Sequence, residues 1–327
     1  MPINLIDIQQ KLRDFSAQAK ARHEKLTTRQ GEASDLLSGF ASRLDELKNR
    51  ISRAADLNPH LRCAVPTDEA LDAAIPAPAL PETFTLLAVD GSQINPSRHA
   101  RVAFGVINIG LVRMVRGSGE APQILTQSQL LDLESLYTSG GRLISEGAVA
   151  LKRDLLERQA LVDFAEDLIQ PAISMTDGPL ELYREPQESE GFNKSLDQYI
   201  EVLERLQAQN LMTLGYVDKP GSDLVGRMLE LVQLSDIELE TPSHQRRLAG
   251  IKDTQLFIDH LQNPGDRSAV FSIFSQIGLR FRGDLGLHFF YINAGLPGKP
   301  HLARVEVPKW VAKDLSLIHI SEPTRPY

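Results

Sequence analysis

Two stretches of the sequence, LLAVDGS at residues 86–92 and ISMTDGP at residues 173–179, decide the fold. Each is a short apolar run that ends in aspartate and glycine, as expected of a buried strand that stops at a turn. A single Asp-Gly pair is more often only a turn. Two such pairs after matching apolar runs favour a shared site, because ligands of α/β sheets bind at the carboxyl ends of the strands. Asp90 and Asp177 are therefore the first candidate site residues.

The pattern around these stretches predicts an α/β fold with a mixed sheet flanked by helices. Strands are expected first, one at residues 83–89 and two more within 100–115. A helical pattern at residues 141–170 leads into the second aspartate, and a helix at 194–209 and a strand at 211–217 follow. Strands that alternate with helices after an opening antiparallel group are typical of such a sheet.

The amino-terminal 57 residues predict two amphipathic helices, separated by a polar stretch between Ala19 and Leu36. Two interpretations stay open: the helices pack on their own domain, or they form a helical arm for dimerisation or for docking a partner. Residues 58–82 are rich in proline and alanine and are predicted to be a linker. The main domain is expected from residue 83 onward.

The composition restricts the class of protein. A chain of 327 residues with 42% hydrophobic and 24% charged residues is an ordinary globular protein. It has neither an apolar run long enough for a bilayer nor a signal segment, which predicts a cytoplasmic location. The single cysteine, Cys63, excludes an internal disulfide framework and a cysteine-based zinc cluster. The net charge of -8 means that local clusters of cations must carry any contact with DNA.

Two strand-end carboxylates with a third on a helix resemble the ribonuclease H-like arrangement, in which paired metal ions clamp the oxygens of a phosphodiester. Carboxylates and water favour Mn²⁺ or Mg²⁺ over zinc. The helix at 141–170 offers several acidic residues, of which Glu157 is the candidate for the third ligand and Asp154 its competitor.

Candidate contacts to DNA phosphates are Lys219, Arg280 and Arg282. Lys219 stands in a turn, where it would either neutralise a phosphate or be an ordinary solvated lysine. The two arginines are interleaved with aromatic residues, a mixture that suits a channel for single-stranded DNA. Alternating aromatic residues are more often simple core packing, and both interpretations stay open. The aromatic residues concerned are Phe281, Phe289, Phe290 and Tyr291.

Five segments are similar, in the same order, to the motif series of NurA proteins. They are AVDGSQ (88–93), TDGPL (176–180), GYVDKP (215–220), PGDRS (264–268) and ARVEVP (303–308). None of these motifs is specific alone, but five in sequence are hard to obtain by chance. The resemblance covers roughly Thr83 to Lys313.

This resemblance implies a ribonuclease H-like, manganese-dependent nuclease that degrades DNA in the 5′–3′ direction from its ends and cuts single strands. NurA proteins act in DNA end resection as dimers docked on a hexameric HerA-type translocase. In this family the aspartates of the two Asp-Gly motifs and a helical glutamate bind the metal, which maps to Asp90, Asp177 and Glu157. The alternative is a non-catalytic adaptor or regulator of a DNA translocase.

One departure from the family concerns the carboxyl terminus. The last NurA motif supplies a tyrosine and a metal-binding histidine, and this sequence contains no match to it. Residues 315–327 look like translated sequencing-adapter sequence and are expected to be a non-native tail. The nuclease-like domain, residues 83–314, is therefore expected to be incomplete at its carboxyl end.

Overall fold

The computed structural model describes residues 5–138, 140–182, 191–240 and 246–315, which build one nine-stranded sheet with helices packed on it. The strands are β1 (Cys63–Pro66), β2 (Phe84–Ile94), β3 (Val106–Arg116), β4 (Gln123–Leu130), β5 (Ala172–Asp177), β6 (Met212–Val217), β7 (Phe271–Phe274), β8 (Leu287–Asn293) and β9 (Leu302–Pro308). Their order in the sheet is β1-β7-β8-β9-β6-β5-β2-β3-β4. Strands β2, β5 and β6 run parallel, whereas the other pairs are antiparallel.

The helices in the described residues are α1 (Leu5–Gly39), α2 (Leu44–Leu57), α3 (Leu133–Leu136), α4 (Glu146–Asp163), α5 (Phe192–Ala208), α6 (Leu224–Leu231), α7 (Asp236–Glu240), α8 (Asp253–Phe257) and α9 (Lys309–Ala312). The predicted α/β class with a mixed sheet flanked by helices is confirmed. Among these helices, none has both the length and the apolar character needed to cross a bilayer.

The two faces of the sheet are covered unequally. Alternation along β2 directs Leu87 and Val89 into a large apolar cluster that also contains residues of α4, α5 and α6. The intervening residues point to the opposite face, which we call the open face. There a smaller cluster that includes Phe290, Val305 and Val311 covers the β8–β9 half. On this face the side chains of β2 and β3 are half-buried or exposed, and those of β4 are exposed.

The amino-terminal helices form as predicted, but the break falls later than expected. Helix α1 continues through the polar stretch, and the chain turns at residues 40–43. The second half of α1 packs on the body, where Arg29 donates to the carbonyl of Ala249 at 2.7 Å. Its first half exposes an apolar stripe of Ile8, Leu12 and Phe15, whereas Leu37, Leu47, Ile51 and Ala54 are buried in the main core.

The proline-rich segment at 58–82 differs from the predicted linker, because it contributes the edge strand β1. Cys63 pairs with Phe274 of β7, and Leu71 is fully buried. Pro66 closes β1, consistent with the tolerance of edge strands for proline. Glu69 accepts hydrogen bonds from the Arg267 guanidinium and from the amide of Val270. The segment therefore belongs to the folded body.

The prediction of two strands within residues 100–115 is wrong. A single strand, β3, runs from Val106 to Arg116, and the third strand of this group is β4, at Gln123–Leu130. Gly110 lies inside β3 without interrupting it. A glycine weakens a strand but ends it only when the backbone also turns.

Candidate active site

Asp90 and Asp177 lie side by side on neighbouring parallel strands. The pairing of β2 with β5 runs through Val89 and Thr176, so the next residues in register are the two aspartates. Strand β5 ends there, while β2 continues along β3. The structure thus brings together the two carboxylates that the sequence selected, but the predicted turn at Asp90 and Gly91 is wrong, because β2 runs on to Ile94.

Both aspartates line one cavity of about 580 Å³ on the open face of the sheet. Tyr216, the neighbour of Asp177 on β6, closes the cavity on that side. The cavity extends the other way onto β3. Its remaining lining residues are Ala88, Val89, Gly91, Ser92, Asn108, Gly110, Val112, Met175 and Thr176.

The two carboxylates are exposed and carry no counter-charge from the described residues. Asp90 accepts the backbone N–H of Gly91 through one oxygen, at 2.9 Å. Within the described ranges no lysine, arginine or histidine forms an ion pair with Asp90 or Asp177. Neighbouring like charges without a partner favour the binding of a cation between them. Oxygen donors of this kind suit Mg²⁺ and Mn²⁺.

Glu157 of α4 reaches β2 at Gly91, immediately after Asp90. A Cβ placed on Gly91 would lie 2.6 Å from Glu157 Oε1 and 2.7 Å from Arg153 Cγ, so only glycine allows this close approach. Successive strand residues point to opposite faces. The Glu157 carboxylate therefore lies on the helix side of β2, behind Asp90, and does not line the cavity.

Two arginines surround the buried carboxylate of Glu157. Oε1 lies 3.2 Å from Arg153 Nε, and Oε2 lies 3.4 Å from Arg158 Nη1. Burial raises the pKa of Glu157 to about 7, Arg158 acts against this, and the charges of Asp154 and Asp90 raise it further. The Glu157 carboxyl therefore takes up a proton more readily than an exposed glutamate does.

The described part of the chain contains no group of three or more His, Cys, Asp or Glu side chains placed to hold one metal ion. Asp90 and Asp177 share one cavity, whereas the carboxylate of Glu157 faces Arg153 and Arg158. Asp154 does not replace it, because its carboxylate pairs with Arg153 at 3.0 Å and lies outside the cavity. The assignment of Glu157 as third ligand stays a prediction.

Arg158 ties the helix that carries Glu157 to the loop that follows Asp177. Its guanidinium donates to the carbonyl of Pro179 at 3.1 Å and to the carbonyl of Asp154 at 3.0 Å. It is 3% exposed and lies over the ring of Tyr199. The sequence analysis missed this residue, since nothing in its local pattern distinguishes it from a solvated helix arginine.

Glu306 of β9 holds the same loop from the other side. Its buried Oε2 accepts the backbone N–H groups of Leu180 at 2.9 Å and of Glu181 at 3.3 Å. Arg304 balances its charge, with Nη2 2.7 Å from Oε1. Gly215 completes the fit, because a Cβ there would lie 2.6 Å from the carbonyl oxygen of Gly178. Three of the five sequence motifs therefore meet at this loop.

Comparisons with known proteins identify the family of the chain. The NurA domain model matches residues 84–322, most of the chain. The chain belongs to the NurA domain family. The crystal structure of the NurA nuclease from Sulfolobus solfataricus aligns with a TM-score of 0.50 at 11% identity, covering 98% of this chain and 88% of that one. The resemblance and the ribonuclease H-like fold predicted from the sequence are confirmed.

A second solved structure, the catalytic domain of human Endonuclease V, covers 81% of this NurA chain and 82% of its own length. Its identity is 15% and its TM-score 0.31. No curated protein matches the chain.

The predicted phosphate contacts of this NurA chain lie outside the cavity. The side chain of Lys219 is 82% exposed in the turn after β6, with its ammonium 3.8 Å from Asp218. Arg280 forms an ion pair with Asp197 at 2.6 Å, and Arg282 is exposed in the turn before β8. None of these three side chains joins Asp90 and Asp177, so their roles stay predictions.

The aromatic channel for single-stranded DNA is wrong as an interpretation of this NurA sequence. Its four aromatic residues are at most 4% exposed. Three of them lie on β8, which is covered on both faces between β7 and β9, and Phe281 packs edge-on against Tyr199. Buried rings are not accessible for stacking on bases. The core-packing interpretation holds for Phe281, Phe289, Phe290 and Tyr291.

Proposed function

We propose that this NurA chain is a metal-dependent deoxyribonuclease in which Asp90 and Asp177 hold the divalent cation. The observation that carries the proposal is the pair of adjacent, exposed carboxylates in one cavity, without a cationic partner in the described residues. Family membership and the Sulfolobus nuclease of the same fold support it. Mn²⁺ or Mg²⁺ is the expected ion, since two carboxylates together with water and a substrate phosphate are its usual ligands.

Such an ion, when bound, lowers the pKa of a water molecule and stabilises charge on the phosphate oxygens. The residues of the protein hold the two carboxylates in place for this ion. Arg158 and Glu306 hold the loop after Asp177, so that this carboxylate stays beside Asp90. Glu157 places a further carboxyl group behind Asp90, and its role as third ligand would require this group to turn from its arginines toward the cavity.

The family resemblance extends the proposal to finer activities. These are 5′–3′ exonuclease and single-strand endonuclease action during DNA end resection, and assembly as a homodimer with a hexameric HerA-type translocase. DNA is the proposed substrate on the same ground. Because the chain has a net charge of -8, DNA would be held by local cations or delivered by the translocase.

A non-catalytic adaptor of a DNA translocase is the second candidate. One observation favours it: within the described ranges no three-carboxylate cluster forms, and Glu157 is paired with arginines. The two candidates differ in whether Asp90 and Asp177 bind metal and support cleavage.

The test is degradation of end-labelled linear DNA with Mn²⁺ by the wild-type chain and by Asp90→Asn and Asp177→Asn. Each substitution should lower the rate at least about a hundredfold, equivalent to about 2.7 kcal/mol of lost transition-state stabilisation. Asp68→Asn is the matched control, since its side chain is 99% exposed and far from the cavity.

A second readout does not depend on activity. Mn²⁺ should raise the melting temperature of the wild-type chain and of Asp68→Asn, but not of the two site variants, because a ligand that binds only the folded state stabilises it. Absence of both cleavage and Mn²⁺-dependent stabilisation in the wild-type chain would favour the adaptor.

A further inference from the structure

The cavity continues from the two carboxylates across the open face of β3. In the register of the sheet, Gly110 lies opposite Asp90, and Thr126 of β4 lies opposite Gly110. One step further along the strands, Ser92 lies opposite Asn108. Beside the aspartates, Ser92, Asn108 and Gly110 therefore give the cavity a floor of uncharged residues, and this floor ends before Thr126.

Gly110 is not required by the backbone or by packing. It is absent from the glycines with positive φ, and a Cβ added to it would meet only the backbone oxygen of Asp90, at an ordinary 3.7 Å. Gly91 differs, because a side chain there would collide with Glu157. Glycine destabilises the interior of a strand, and at position 110 no backbone or packing requirement offsets this loss of stability. What it provides is empty space beside Asp90.

Asn108 adds hydrogen-bond donors to this space. The hydroxyl of Ser128 donates to its Oδ1 at 2.7 Å, which leaves the amide N–H groups for a ligand, as they have no acceptor in the described residues. Amide donors of this kind bind phosphate oxygens and base edges. The loop that joins β2 to β3 begins just past Ser92 and Asn108 and carries the exposed Arg98 and Arg101. Positive charge therefore lies at this end of the cavity.

We infer that the DNA strand bound at Asp90 and Asp177 continues across β3, with the nucleotide next to the scissile phosphate seated over Gly110 and hydrogen-bonded by Asn108. The inference rests on the proposed nuclease function and adds a nucleotide-binding groove to it. A small phosphodiester needs only the carboxylates. A DNA strand needs the carboxylates and the groove.

The experiment fills the groove with Gly110→Ala and Gly110→Val. Thr126→Val is the matched control on the same row and face, outside the cavity. Binding of a fluorescein-labelled single-stranded DNA is measured by anisotropy with Ca²⁺ in place of Mn²⁺. Hydrolysis of the same DNA and of bis(4-nitrophenyl) phosphate is measured with Mn²⁺, and thermal unfolding reports on folding.

Gly110→Val should weaken DNA binding and raise the KM for DNA at least about tenfold, as expected when branched carbon atoms occupy a ligand site. Gly110→Ala should show a smaller effect in the same direction. Hydrolysis of the small diester should fall less than cleavage of DNA, because the small substrate covers less of the groove, and the melting temperature should not fall. Thr126→Val should match the wild-type chain throughout.

The outcomes separate the groove from the nuclease function. Wild-type DNA binding and cleavage in Gly110→Val would overturn the groove and leave the nuclease proposal standing. An equal loss on both substrates would also overturn it, because the glycine would then serve the carboxylates alone. DNA binding that depends on position 110 without cleavage by any form would support the groove and contradict the nuclease. Absence of both binding and cleavage in the wild-type chain would overturn both.

Discussion

Gly91 determines how close Glu157 comes to Asp90. Replacement by alanine places a methyl group 2.6 Å from a carboxylate that is 4% exposed, so Glu157 and Arg153 must move. Overpacking of this kind costs about 1–3 kcal/mol of the free energy of unfolding, measured by urea titration. DNA cleavage should also fall in Gly91→Ala, because the displaced carboxylate is the predicted third ligand.

Gly31→Ala is the control for this prediction. Gly31 lies within α1, and an added Cβ has no heavy atom within 4 Å. The substitution should stabilise the protein by about 0.5–1 kcal/mol, since alanine favours the helix. If Gly91→Ala were as stable as the wild-type chain, the tight contact with Glu157 would be ruled out.

At the scale of residues, the two aspartates were predictable because each follows a similar apolar run, and parallel pairing of the two runs places the aspartates in one row, although β2 continues to Ile94. The surroundings of Glu157 were not predictable in the same way. Its distance from Arg153 and Arg158 depends on how α4 packs on β2, which helical periodicity does not specify. The role of Gly110 also needs the structure, since only its surroundings distinguish open space from a turn.

Arg158 connects two elements of the candidate site, α4 and the loop after β5. Methionine at this position keeps an apolar stem over Tyr199 but removes the donors to the carbonyls of Pro179 and Asp154. We expect Arg158→Met to lower the free energy of unfolding by about 3–5 kcal/mol, the typical cost of breaking a buried charged network. Because the loop then loses its anchor, the Mn²⁺ concentration for half-maximal cleavage should rise.

The Mn²⁺ dependence of cleavage shows whether Arg158 positions Asp177 or only stabilises the fold. Arg205→Met on α5 is the control, since its side chain is 55% exposed and 3.9 Å from Asp163. It should leave both the stability and the Mn²⁺ dependence unchanged. If Arg158→Met were destabilised but kept the wild-type Mn²⁺ dependence below its melting temperature, Arg158 would only stabilise the fold and would not position Asp177.

Among the elements, the strands and helices around the site could be predicted from their periodicity, whereas β1 and β4 could not. Strand β1 is buried but has only four residues within a proline-rich segment, and β4 is exposed on both faces, so neither carries a periodic pattern long enough to predict a strand. Both are edge strands of the sheet. Both segments are strands because they form backbone hydrogen bonds with a neighbouring strand, β7 for β1 and β3 for β4.

For the whole molecule, the order of the motifs predicts the family, but the order of the strands could not be derived. Strand β9 enters the sheet between β8 and β6, and β1 pairs with β7, which lies far along the chain. Such neighbours are selected by long-range packing, about which local patterns carry little information. The place of Glu306 against the loop after Asp177 follows from this insertion of β9.

Substitutions in the two amino-terminal helices can test which part of the first 57 residues packs on the body and which part is free to act as an arm. Leu47 of α2 is fully buried in the main core, whereas Leu12 of α1 is 57% exposed. Leu47→Ala should therefore lower the free energy of unfolding by about 2–5 kcal/mol. The same substitution at Leu12 should change it by no more than about 0.5 kcal/mol.

Equal effects at the two positions would contradict the division of α1 and α2 into an exposed half and a packed remainder. Sedimentation equilibrium of Leu12→Ala then addresses the proposed homodimer. If the stripe of Ile8, Leu12 and Phe15 lies in that dimer, the variant should dissociate at a higher concentration than the wild-type chain while each protomer stays folded. An unchanged dimer would place the subunit contact elsewhere and leave this stripe outside it.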